Sequence, residues 1–195
     1  MHINGLLNME LYYFLNCFFI YSFIGWVFEC VVMSFETRSP VINRGFISGP
    51  LCTIYGVASM AMYIILKPVS DNMLLLYIGG LVLTTLIEIV TAKIMISLFG
   101  SFWWDYTNKP FNYKGIICLE SSLFWGLSAI IIFKIVHPRV MGLVDLYYLS
   151  WGKAVVLVIL FAYIIDFSYN FYRAFSMRDN ALSEDELVGI EMNEN

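Results

Sequence analysis

MLLLYIGGLVLTTLIEIVTAKIMISLF, from Met73 to Phe99, decides the fold. A helix rises ~1.5 Å per residue, so about 20 apolar residues cross a ~30 Å hydrocarbon core. This run is longer than that and carries charge only at Glu88 and Lys93. Alternation with period two is absent and the run is too long for a β-barrel strand, so the stretch reads as a membrane-spanning helix.

The segment that follows, Gly100 to Gly115, is the longest polar interruption in the apolar body. It holds Trp103, Trp104, Asp105, Lys109 and Lys114 with further aromatics. A plain connection would need only a few small polar residues. Rings beside charges suit the headgroup zone, where an amphipathic ring meets hydrocarbon and water together.

Four more runs match the length of a span: Leu11 to Phe35, Phe46 to Leu66, Ile116 to Val136 and Leu146 to Phe171. Lys67-Pro68 and His137-Pro138 are read as the stops of the second and fourth helices, and Tyr147-Tyr148 with Trp151 as an aromatic belt before the fifth. The expected fold is all-α, a polytopic transmembrane bundle of about five helices occupying residues 1–178. Residues 179–195 read as an acidic, disordered cytoplasmic tail. Hydrophobic residues make up 60% of the chain and charged residues 13%, far from the balance of a soluble domain. The net charge of −4 comes from the tail, where Asp179, Glu184, Asp185, Glu186, Glu191 and Glu194 lie; the body before it is mildly basic. No nucleic-acid surface is implied.

Lys and Arg in the connections set orientation. Arg38, Arg44, Lys109, Lys114, Arg173 and Arg178 fall on one side, and Lys67, Lys134, Arg139 and Lys153 on the other. The bias places the N-terminus outside and the C-terminus in the cytoplasm. The N-terminus lacks the basic region and small-residue cleavage site of a signal peptide, so its apolar run is expected to stay as a helix. Cys17, Cys30, Cys52 and Cys118 form no Cys-x-x-Cys pair and read as small core residues in a reducing setting. His2 and His137 have no ligand spacing, so neither a metal nor another cofactor is expected.

Ionisable groups inside a bilayer cost at least ~2.5–3.5 kcal/mol and normally face a partner or a wet cavity. Glu88 is the sharpest case, with Thr84 and Thr91 on its helix face. It is either a site for a proton, a cation or an amine, or a protonated acid acting as glue between helices. Glu29, Arg44 and Asp105 gather in the same half of the bundle. Arg44 beside Gly45 at a helix start suits a phosphate or carboxylate. Arg44 and Asp105 are expected to approach each other beneath one cavity. Asp166 and Lys114 read as ordinary solvated helix ends. A faint repeat runs through these positions: Gly56 follows Gly45 by eleven residues, as Gly126 follows Gly115, and each pair comes after a helix with a buried glutamate. Repeats of this kind build parallel-repeat transporters.

Asn43-Arg44-Gly45-Phe46, Gly49-Pro50, Ile54-Tyr55-Gly56, Glu88, Trp103-Trp104-Asp105-Tyr106, Phe111-Asn112, Gly115, Ile117-Cys118-Leu119 and Trp125-Gly126 come in one order. This set resembles a bacterial multi-spanning family labelled "putative ABC-transporter permease, type IV". The match covers about Phe14 to Pro138. Thr53 stands where the family commonly has proline, and Ile116 where an arginine often follows the glycine. The resemblance implies a permease-like transport component in the lipid bilayer, a separate ATPase subunit, and possible assembly with further copies of the chain. It implies no catalytic residues. The Glu-Ala-Ala loop by which well-studied importers dock their ATPase is not found, and no P-loop, Gly-x-Ser-x-Gly elbow or His-Glu-x-x-His pair occurs. The candidate binding residues are therefore Glu88, Arg44, Asp105, Trp103, Trp104 and Glu29. Two other classes stay open: an intramembrane enzyme acting on a lipid headgroup, and a non-catalytic membrane scaffold.

Overall fold

The computed structural model describes residues 3–43, 45–147 and 151–193. Among them the regular elements are helices: α1 (Ile3–Thr37), α2 (Thr53–Leu66), α3 (Met73–Phe99), α4 (Leu119–Ile131), α5 (His137–Tyr147) and α6 (Gly152–Asn193). A π-helical turn over Ile132–Val136 joins α4 to α5, so Leu119–Tyr147 is one continuous apolar stretch. Counted that way there are five helical passes. Four are long and apolar enough to cross a membrane: Glu10–Thr37, Met73–Phe99, Leu119–Tyr147 and Gly152–Asp179. The protein is a multi-pass membrane protein. The sixth helix runs on to Asn193 and so takes in most of the acidic stretch read as a tail.

α3 begins and ends where the sequence places it. Asn72 Oδ1 accepts from the backbone N–H groups of Leu74 and Leu75 at 3.0 and 3.1 Å, capping two free donors. Gly100 closes the helix at φ +77°, its N–H reaching Ile96 O. Other boundaries differ. α2 starts at Thr53 rather than Phe46, because Gly49-Pro50 and its neighbours form an extended arm. α4 starts at Leu119 rather than Ile116, because Lys114 (φ +54°) and Gly115 (φ +70°) make the tight turn of a small hairpin pairing Tyr113 with Ile117. The helix expected to stop at His137-Pro138 continues. The π-turn gives the His137 N–H to Ile132 O, and Pro138 then lies in the first turn of α5, where its missing donor costs little.

The chain between α1 and α2 turns back along α1. Val41 N–H donates to Ser34 Oγ, Cys30 Sγ lies 3.5 Å from Ile42 O, Trp26 Nε1 donates to Asn43 Oδ1, and Cys52 N–H donates to Ser22 O. The arm thus descends beside α1 for ~22 Å, the rise from Thr37 back to Ser22. α4 also starts deep: Ser121 and Trp125 lie level with Glu88, about 16 Å short of the Phe99 end of α3. In both cases a long helix is followed by an irregular segment and then by a helix that starts partway down its neighbour. Such backbone is tolerated at depth only when protein covers it.

Small residues let these helices approach. A Cβ on Gly25 would stand 2.2 Å from the Tyr55 ring, and one on Gly56 would stand 2.2 Å from Ser22 Oγ. A Cβ on Gly80 would meet Ala129 at 2.4 Å. One core cluster joins α2, α3 and α4 through Met62, Leu76, Trp125 and Ala129. A second, adjoining it at Ile132, joins α1, α2, α5 and α6 through Tyr12, Met60, Val144 and Val156. There Tyr147 donates to Asn16 Oδ1 at 2.9 Å and Tyr13 to Asp145 at 2.6 Å.

Candidate functional site

Glu88 is buried in the middle of α3, only 5% exposed. Three donors converge on its Oε1: Ser121 Oγ at 3.2 Å, Tyr106 OH at 3.3 Å and Trp125 Nε1 at 3.3 Å. They come from α4 and from the irregular segment before it. Thr84 and Thr91, the same-face residues, are not the partners. Thr84 Oγ1 donates back to Gly80 O, and Thr85, one step round the helix, donates to Ser122 Oγ at 2.8 Å. Oε2 has no hydrogen-bond partner among the described residues.

Glu29 occupies the matching place in the first helix pair. Tyr55 OH donates to Glu29 Oε1 at 2.6 Å, and the Tyr55 and Trp125 rings lie 5.0 Å apart. Tyr55 precedes Gly56 as Trp125 precedes Gly126, so the sequence repeat corresponds to a repeated contact: a long-helix glutamate bonded by the aromatic residue ahead of a packing glycine. The Tyr55–Trp125 ring contact thus joins the hydrogen-bond partners of the two glutamates.

The paired tryptophans do separate jobs. Trp104 Nε1 donates to Ile116 O at 2.7 Å and ties the two arms of the loop together. Trp103 packs on Phe46 and Phe99 with centroids 5.2 and 6.3 Å apart, in an aromatic cluster that reaches Phe167 and Phe171 of α6. Asp105 is exposed and folds onto its own turn, its Oδ1 accepting from both the N–H and the hydroxyl of Thr107. These bonds hold its carboxyl below the usual range. Gly115 is required here, since a Cβ would stand 2.8 Å from Asp105 Oδ1. Arg44, the expected partner of Asp105, lies outside the described residues. Lys109 bridges Glu36 at 3.2 Å and Glu120 at 3.4 Å, and the Glu36 bond, then Glu120, pushes its ammonium pKa up.

Two residues carry more than the sequence suggests. Asp166, read as a solvated helix end, accepts from the arm's backbone: Ser48 N–H at 3.2 Å and Gly49 N–H at 2.7 Å, with Asn170 Nδ2 at 2.7 Å. The glycine-rich, proline-limited arm was a signal that backbone donors needed an acceptor. His137, read as an interfacial stop, is buried, bonded to Tyr21 OH at 2.6 Å and packed 3.9 Å from the Tyr63 ring. All four cysteines are free thiols. Among the described residues no three His, Cys, Asp or Glu side chains are grouped to hold a metal ion.

The class these features define is a polytopic helical membrane protein with two helix pairs, each interrupted at depth by irregular chain and each carrying a glutamate on its long helix, Glu88 buried and Glu29 half-buried. Residues 16–171 match the family model described as "Putative ABC-transporter type IV", and the chain belongs to that family. No curated protein and no solved structure matches it.

Proposed function

We infer that the chain is the permease-like membrane component of a transport system, with its site at the Glu29–Tyr55–Trp125–Glu88–Tyr106 cluster in the cytoplasmic half of the bundle. One observation carries this reading. Irregular segments enter the bundle at corresponding positions of two helix pairs and end beside a glutamate of each long helix, Glu29 half-buried and Glu88 buried. In transporters built from repeats, interrupted helices at matching positions mark the binding site. The family supports a transport role and, with it, an ATPase on a separate chain. The excess of Lys and Arg near the Gly100–Gly115 loop supports a cytoplasmic placement for that end. Trp103, Trp104 and Asp105 shape the mouth of the site, and Arg44 is the anion-holding candidate that the sequence offers.

The test is purification of the tagged chain from its native membranes under mild detergent. A nucleotide-binding subunit in fixed proportion, with ATPase activity that changes when Glu88→Gln replaces the wild type, is the expected result. A chain purified without any ATPase would remove the permease reading.

A further inference from the structure

Glu88 presents a charge that its neighbours only half satisfy. All three donors approach Oε1, while Oε2 is sealed from solvent and has no partner among the described residues. The ion pairs of this end go elsewhere, from Lys109 to Glu36 and Glu120. The titratable groups bearing on the cluster are Glu29 from α1, Cys52 and Tyr55 at the start of α2, and Tyr106 and Cys118 from the loop before α4. None of these side chains can carry a positive charge. An ionised Glu88 would leave one bare oxygen in a low-dielectric interior. A buried carboxyl with an unpartnered oxygen resolves the conflict by holding a proton. Among the described residues no group of three His, Cys, Asp or Glu stands at this cluster to hold a metal ion.

We propose that Glu88 is a proton-binding site, loaded and unloaded through Tyr106 and Ser121. The inference rests on the reading of this cluster as the permease's site and names a proton as its coupling ligand. The three side chains form a closed triangle: Glu88 Oε1 to Tyr106 Oη 3.3 Å, Tyr106 Oη to Ser121 Oγ 3.3 Å, and Ser121 Oγ to Glu88 Oε1 3.2 Å. In the loaded state Glu88 Oε1–H donates to Tyr106 Oη, the reverse of the bond to the ionised carboxylate; on release that proton passes to Tyr106 Oη as the Tyr106 proton passes to Ser121 Oγ. In this relay the Ser121 proton goes to a water admitted at the first turn of α4, where Ser121 is half-buried. Both hydroxyls finish with one proton each, Glu88 finishes ionised, and uptake runs in reverse. Trp125 Nε1 can only donate, so it orients the carboxyl and relays nothing.

The experiment is infrared spectroscopy of the full chain in lipid nanodiscs, in water and in heavy water. Wild type should show the carbonyl band of a protonated carboxyl at neutral pH. Glu88→Gln should lose that band and Glu29→Gln should keep it. The double variant Tyr106→Phe, Ser121→Ala should keep the band but slow its deuterium shift at least about tenfold, the effect of ~1.4 kcal/mol on a barrier. If Glu88→Gln does not fold, the double variant alone tests the relay. No protonated-carboxyl band in wild type, a band untouched by Glu88→Gln, or unchanged exchange in the double variant would each overturn the proposal. The spectra require no ATPase. An exchanging Glu88 band in a chain that binds no ATPase keeps the proton site and removes the permease reading. An ATPase complex without the band does the opposite.

Discussion

The rings of Tyr55 and Trp125 meet with centroids 5.0 Å apart, and each also bonds a glutamate of the long helix preceding its own. This contact joins the two helix pairs. Movement of either pair is therefore felt by the hydrogen bonds of both carboxyls.

Gly25 permits this arrangement by leaving room for Tyr55. In Gly25→Ala the new methyl would lie 2.2 Å from the Tyr55 Cγ and 2.3 Å from its Cβ, so the backbone must move rather than a flexible tip. The expected loss is ~1–3 kcal/mol. It would be read as a lowered melting midpoint in detergent together with altered tryptophan emission from Trp125. An unchanged midpoint would mean that α1 and α2 are less closely packed than these distances require.

The Asp105–Thr107 turn should loosen in acid. The Asp105 carboxyl is held below its usual range by the Thr107 hydroxyl and N–H, so its contribution is fully present above the ordinary carboxylate pKa and is lost as pH falls through the lower folded value. Amide exchange at Thr107, corrected for intrinsic pH dependence, should accelerate only at that acid end. In Asp105→Ala it should be fast at every pH.

Asp166→Ala should uncover two backbone donors at once. Ser48 and Gly49 would lose their acceptor, at ~1–3 kcal/mol for each group that stays buried. Hydrogen exchange should rise at Ser48 and Gly49 before it rises in α2. Protection equal to wild type would show that water replaces the carboxylate without cost.

A cysteine at Asn108 or Lys114, both exposed, reports orientation once Cys17, Cys30, Cys52 and Cys118 are replaced. An impermeant thiol reagent should fail to label it in intact cells and should label it after the membrane is opened. Labelling from outside would reverse the assignment of the Lys109 end to the cytoplasm.

Length and apolarity made the long helices readable, because a bilayer demands both and little else provides them. Met73–Phe99 is recovered at both ends, since Asn72 and Gly100 are local signals. Periodicity singled out Glu88 but pointed to Thr84 and Thr91, which share its helix face. Its actual partners, Tyr106, Ser121 and Trp125, lie 18, 33 and 37 residues away and are brought in by a fold-back that no local pattern encodes. Asp166 was passed over for the same reason, its partners being 117 and 118 residues distant. His137-Pro138 misled in another way. A proline ends a regular helix, yet one wider turn before it lets the helix continue.

The bond from Asp166 to the arm also has a meaning in time. A chain is made from its N-terminus, and the arm emerges well before the helix that supplies its acceptor. Until α6 enters the bilayer, Ser48 and Gly49 must keep water or a temporary partner, so the first helix pair is inserted before it is finished. The last span is thus the fastener of the first loop, and a nascent chain arrested before Asp166 would offer quality-control proteases an open arm between α1 and α2.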